Sequence, residues 1–107
     1  MTGAQEPRYF VNRLLGPRPT FPMDITPDEK VMMGEHAAYW RGLMAEGRVV
    51  VFGPVLDPKG VWGMGVIKAA DDAEVQAMNA ADPVILANCG FRYETLPMMT
   101  AVLPTTP

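Results

Sequence analysis

His36 is the only histidine in the chain, and imidazole is the one side chain whose ordinary pKa lets it give and take protons near neutral pH. A general acid or base of this kind needs a partner that fixes its tautomer, and the carboxylates differ in how free they are to serve. Asp57 lies in a turn-rich stretch, and Asp71 and Asp72 open a helix, so all three have local work to do. Asp82 stands immediately before Pro83. It can cap the segment that the proline begins, or it can hydrogen-bond His36 and raise the basicity of the ring. Sequence distance leaves both roles open. His36 is likewise either a core histidine satisfied by a backbone carbonyl or a proton-transfer group facing a pocket.

Other residues could contact a substrate. Tyr39 and Trp40 flank His36 at helical spacing, as core residues or as stacking surfaces for a ligand. Arg13, projecting from a strand, could clamp a substrate carboxylate in bidentate fashion, although strand arginines are usually solvated. Cys89 is the only cysteine; it reads as a small buried apolar side chain and excludes an internal disulfide. One cysteine beside one histidine makes no zinc-ligand set, and no glycine-rich phosphate loop is present, so neither metal nor cofactor is expected.

These groups must be positioned by elements that the patterning predicts. Arg8–Leu15 reads as a strand closed by Gly16-Pro17, and a proline-rich loop follows to Asp24. Thr26-Pro27-Asp28-Glu29 is a capping box with proline at the first helical position, starting a helix that runs to about Glu46 and closes at Gly47. On that helix Met32, Met33, His36, Tyr39, Trp40, Leu43 and Met44 share an arc of about 160°, so the imidazole points toward the core or a pocket. The Gly34, Ala38, Gly42 and Ala45 stripe lies on the other side.

Arg48–Val55 lacks alternation and reads as a strand buried on both faces. A turn at Leu56–Gly60 leads into Val61–Ala69, which carries Gly63 and Gly65 on one face, as close approach of a helix, partner or ligand would need. Asp71–Glu74 caps a second helix ending near Ala81. Val84–Asn88 is a short turn or helical piece closed by Gly90, and Phe91–Leu96 is a last strand that could continue after Pro97 through Met98–Leu103. The terminal PTTP is expected to fray.

The order β-α-β-β-α-β is the split, ferredoxin-like arrangement, an α+β fold with an antiparallel sheet and both helices on one face. At 107 residues the chain is one domain with its core at about residues 8–103. Hydrophobic residues make up 49% and charged residues 20%, which excludes a disordered chain. A net charge of −3 with scattered basic residues excludes a basic stripe for nucleic acid. No signal peptide opens the chain and no apolar run approaches membrane length, so a cytoplasmic protein without membrane contact is expected. Helices cover one sheet face only; the other, also apolar, is most simply covered by a second copy, predicting a homodimer.

The segments TPDEKVMMGEHAAYW and GRVVVFGPVLDPKGVWG, the Asp82-Pro83 step and GFRYETLPM together resemble the YciI-like (YCII-related) domain family, from about Tyr9 to Val102. The resemblance implies a ferredoxin-like subunit dimerising through its sheet, as in the dimeric α+β barrel superfamily that contains muconolactone isomerase. It also implies an active site of a helix-one histidine and the aspartate of an Asp-Pro step, here His36 and Asp82. Gly53, Pro54 and Gly60 match the family's hairpin. A branch of the family is associated with dehydrochlorination of chlorinated hydroxyquinols; the proline-rich Gly16–Ile25 loop of this chain would shape the pocket mouth differently. Three functions remain in view: a cofactor-free acid–base enzyme (lyase, isomerase or dehydrochlorinase-like) acting on a small cyclic or carboxylated metabolite, a non-catalytic binding or sensing module, and a structural dimerisation domain.

Overall fold

The computed structural model describes residues 8–105; the expectations for the first seven residues and for the end of PTTP fall outside them. Seven elements follow in order: β1 (Arg8–Leu15), α1 (Pro27–Ala45), β2 (Val49–Val55), β3 (Trp62–Ala69), α2 (Asp72–Ala80), α3 (Pro83–Leu86) and β4 (Arg92–Pro97). The strands form one antiparallel sheet in the order β2-β3-β1-β4. This is the ferredoxin-like α+β arrangement. Its helical layer is completed by the short α3 between α2 and β4.

Local chemistry sets the boundaries. Thr26 and Glu29 form the reciprocal capping box at the start of α1, and the helix closes at Gly47, whose φ of 79° is the left-handed conformation that glycine adopts without penalty. Asp71 caps α2 by accepting from the Glu74 amide at 2.9 Å. β4 ends at Pro97 rather than continuing. Beyond it a single backbone bond joins Met98 to Tyr9, and Met99 and Val102 are almost fully exposed.

The helix-facing side of the sheet is best read as cross-strand rows. The first row, Val49–Ile67–Phe10–Pro97, is packed by α1 and α2 through Trp40, Leu43, Val75 and Met78. The next row is Phe52–Gly65–Asn12–Thr95, and the third is Pro54–Gly63–Leu14–Tyr93. Along β3, therefore, the inward side chain falls from isoleucine to nothing. A second core of Leu14, Phe21, Val84 and Phe91 closes the far end. Between the two cores the helices have no β3 side chains to rest on, and a cavity forms there.

A β-bulge at Val49–Val51 turns both Val49 and Phe52 inward, which explains the lack of alternation in β2. It does not bury the strand on both faces, however. Val50 and Val51 are exposed, because the helices cover one side of the sheet. The outer side, with Val11, Val51, Val66 and Leu96, has no helix over it among the described residues.

Arg18 fastens the proline-rich loop. Its guanidinium donates to both Glu29 carboxylate oxygens at 2.7 Å and, through Nε, to both Asp24 oxygens at 2.9 and 3.0 Å. Phe21 then packs edge-on against Phe91 at 5.2 Å. The Arg18 hydrogen bonds hold the Glu29 carboxyl at about 2, below its usual 4.5. A depressed carboxyl stabilises the fold above its unfolded pKa and loses that contribution as pH falls through the folded value. Amide protection in residues 18–25 should accordingly be several-fold higher in the wild type than in Arg18→Gln at pH 6, and the two should converge as the pH approaches 2. Hydrogen exchange, corrected for intrinsic rates, reads this directly.

Candidate active site

The middle of α1 and the α2–α3 junction meet above the cavity. Asp82 is wholly buried, and its carboxylate is saturated by four donors. Oδ2 accepts from His36 Nδ1 at 2.8 Å, from Trp40 Nε1 at 2.7 Å and from the Tyr93 hydroxyl at 2.5 Å. Oδ1 accepts from the Val84 amide at 3.0 Å, the N-cap of α3. The capping and pairing roles open to Asp82 are thus held together, one by each carboxylate oxygen.

The electrostatics follow from those contacts. Burial drives the Asp82 carboxyl upward, but the hydrogen bonds from His36, Tyr93 and Trp40 outweigh it and hold its pKa below the ordinary value. Burial and the neighbouring Asp82 charge push the Tyr93 phenol upward, so it stays a protonated donor. An ionised carboxylate only accepts, so the hydrogen between it and His36 belongs to Nδ1. In the neutral ring the lone pair is therefore on Nε2. Among the described residues Nε2 has no hydrogen-bond partner, it is not sealed from solvent, and His36 lines the cavity with its side chain 13% exposed.

The cavity has a volume of about 310 Å³. Its walls include Phe21, Ile25, Met33, Trp40, Phe52 and Phe91, and Gly63 and Gly65 form its floor. Both glycines line the cavity, and the side chains nearest to a Cβ at either belong to strands, not to a closely packed helix. A Cβ at Gly65 would lie 3.5 Å from Ile67 and 3.8 Å from Asn12 and Phe52, ordinary contacts, whereas one at Gly63 would press to 3.3 Å from Leu14. Gly65→Leu should consequently fill the cavity and abolish ligand-induced thermal stabilisation, while Gly65→Ala should fold normally and weaken it. Differential scanning fluorimetry of both variants checks this.

Most of the remaining sequence candidates lie away from the cavity. Arg13 is on the outer face of the sheet, bonded to Glu94 at 3.1 Å with its guanidinium 4.6 Å from the Trp62 ring, so it does not line the cavity. Tyr39 is half-buried, its hydroxyl donating to the Met78 carbonyl at 2.6 Å, and it too is absent from the lining. Trp40 does line it, as the group that ties α1 to Asp82. Asp57 is a turn residue, accepting from the Lys59 amide and from Trp62 Nε1. Cys89 is exposed, not buried: Asn88 (φ 52°) and Gly90 (φ 104°) turn the chain outward around it. Among the described residues no cluster of His, Cys, Asp or Glu could hold a metal ion, and no helix is long and apolar enough to cross a membrane.

Sequence reasoning missed Tyr93 and a buried polar cluster of Asn12, Asn79 and Thr95. The signal was available for the two asparagines. Asn12 sits between Phe10 and Leu14 on the inward face of β1, and Asn79 follows Val75 and Met78 on the buried face of α2. A polar residue at a core position implies a partner.

The family model of the YCII-related domain matches residues 17–99. The chain belongs to the YCII-related domain family. A solved protein of unknown function from Nitrosomonas europaea, NE2512, is 17% identical, and the alignment covers 96% of this chain and 100% of that one with a TM-score of 0.50. The uncharacterized protein TM1266 from Thermotoga maritima is 12% identical over 85% of this chain and 95% of its own, with a TM-score of 0.47. The first of these likenesses supports the fold alone. No curated protein matches the chain. In this YCII-related domain His36, Asp82 and Tyr93 fall within the matched stretch, whereas β1, and Asn12 with it, precedes it.

Proposed function

We propose that this YCII-related domain is a small acid–base enzyme in which His36 Nε2 moves a proton on an uncharged, largely apolar substrate of ring size. The observation that carries the reading is the 2.8 Å bond from His36 Nδ1 to a fully buried carboxylate, which leaves the opposite nitrogen free at an apolar cavity. Asp82 orients the ring and stabilises the imidazolium formed when the ring takes a proton, without itself reaching the substrate. Among the described residues no lysine or arginine lines the cavity, and the Asp82 charge lies behind His36. A substrate carboxylate would be desolvated there without a partner, which disfavours carboxylated metabolites. General acid–base catalysis supplies about 10²–10⁴-fold, enough for an already acidic C–H or O–H in a lyase, isomerase or dehydrohalogenase step.

The predominantly apolar lining also suits a binding module that carries or senses such a molecule. Uncharged ring compounds screened by thermal shift and then assayed for turnover by NMR separate the two. Stabilisation with turnover, lost in His36→Ala, supports the enzyme. Saturable stabilisation without turnover by any bound compound favours the module. A domain that serves only as a dimerisation unit would bind nothing in the cavity.

The uncovered outer sheet face, with Val51 44% and Leu96 60% exposed, supports self-association through that face. Sedimentation should then give twice the 11.7 kDa chain mass. Val66→Lys, at the centre of that face, should yield monomers, and a wild type that sediments as a monomer at all concentrations rejects the dimer.

A further inference from the structure

The buried asparagine cluster beneath the cavity is unused by the His36–Asp82 pair, and its hydrogen-bond arithmetic is incomplete. Asn12 and Asn79 are 2% and 4% exposed and face each other as a reciprocal amide pair. Asn12 Nδ2 donates to Asn79 Oδ1 at 2.7 Å, and Asn79 Nδ2 donates to Asn12 Oδ1 at 3.3 Å. Thr95 Oγ1 closes the cluster by donating to Asn12 Oδ1 at 2.8 Å and accepting from Asn79 Nδ2 at 3.2 Å. Each amide nitrogen carries two hydrogens. Both of those on Asn79 are used, but only one on Asn12 is. Asn12 lines the cavity and Asn79 does not. Opposite Asn12 on β3 is Gly65, with no side chain to cover the amide.

Buried donors are rarely left idle, because a missing partner costs stability. We propose that Asn12 is the second polar contact of the cavity, donating its spare N–H to a carbonyl oxygen of the substrate while His36 Nε2 removes a proton from the adjacent carbon. The inference rests on the acid–base reading above and narrows its substrate class to uncharged cyclic ketones, enones or lactones. Both contacts belong to one framework. Tyr93 and Thr95, two residues apart on β4, anchor Asp82 and Asn12 respectively.

The step balances without a co-reactant. The C–H bond breaks and its proton forms an N–H bond at Nε2. The C–H electron pair becomes the C=C bond of an enolate, and the carbonyl π pair moves onto the oxygen that Asn12 holds. The imidazolium, paired with Asp82, then returns the proton to the same or a conjugated carbon, giving exchange or isomerisation. A donor fixed in advance at the oxygen where charge develops contributes about 10²–10³-fold.

The test uses 3-cyclohexen-1-one in D₂O, with NMR following deuterium exchange beside the carbonyl and conversion to 2-cyclohexen-1-one. Wild type should accelerate both, and Asn12→Ala and Asn12→Asp, each checked for folding by circular dichroism, should be about 10²–10³-fold slower. Should both fail to fold, the wild type alone decides. Cyclohexanone should shift the Asn12 side-chain amide protons in a ¹H–¹⁵N spectrum, and methylcyclohexane should not. Wild-type rates in the folded Asn12 variants, with His36→Gln inactive, overturn the Asn12 assignment and leave the base in place. Exchange that survives His36→Gln overturns the acid–base reading itself. Failure of wild type to exchange the ketone, or an Asn12 amide unmoved by cyclohexanone, overturns the carbonyl substrate class.

Discussion

Asp82→Ala should lose about 3–5 kcal/mol of stability, because each buried donor left without its acceptor costs about 1–3 kcal/mol. The substitution leaves His36 Nδ1, Trp40 Nε1, the Tyr93 hydroxyl and the Val84 amide without their acceptor. These donors come from α1, β4 and α3, so the loss spreads across the domain. For a domain of about this size the fall in Tm should be at least roughly 12 °C. Asp82→Asn keeps the volume and one acceptor oxygen but turns an NH₂ group toward either the Oδ2 donors or the Val84 amide, and should fall between alanine and wild type. Urea denaturation of the three proteins measures the series, and an alanine variant within 1 kcal/mol of wild type would show the carboxylate to be dispensable for the fold.

The same group sets a pH dependence whose sign is fixed by its depressed pKa. Below the ordinary value of 3.8 the unfolded chain binds the proton first, so folded stability declines as the pH drops through the lower folded-state value. Above 3.8 the contribution is complete. In Asp82→Asn this part of the acid destabilisation should be missing.

His36→Ala should separate chemistry from folding. Its loss removes one of four donors to Asp82, a penalty of about 1–3 kcal/mol, which leaves the capping bond and the Trp40 and Tyr93 bonds in place. Turnover, however, should fall by about 10²–10⁴-fold, because among the described residues no other side chain with a free proton acceptor of suitable basicity lines the cavity. Binding of an apolar ligand should survive, since the walls are unchanged. The decisive comparison is kcat against KM for a substrate identified by thermal shift: a drop confined to kcat places the imidazole in the transition state, whereas unaltered kcat removes it from the mechanism.

The legible part of this protein lay in its local chemistry. The Thr26–Glu29 capping box, Gly47 and the Asp71 cap are decided within a few residues, so the elements and their βαββαβ order could be read along the chain. The inward direction of His36 follows from helical periodicity for the same reason. What periodicity cannot convey is which element faces another across the interior. That Arg13 would stand on the sheet face opposite His36 and that Tyr93 would reach Asp82 are consequences of strand register, while Cys89 is turned outward by the backbone of Asn88 and Gly90.

Asp82 marks the boundary. Its neighbour Pro83 announces a cap, and the cap is there on Oδ1. Only the packing of α1 over the α2–α3 junction brings His36, 46 residues away, to Oδ2. The cavity is likewise tertiary: Gly63 and Gly65 reveal themselves in the sequence as missing side chains, but empty space arises only where the opposing helices cannot descend to fill it. Local propensity acts through neighbouring backbone, whereas a site is built from long-range contacts, and those exist only once the sheet and helices have closed on one another.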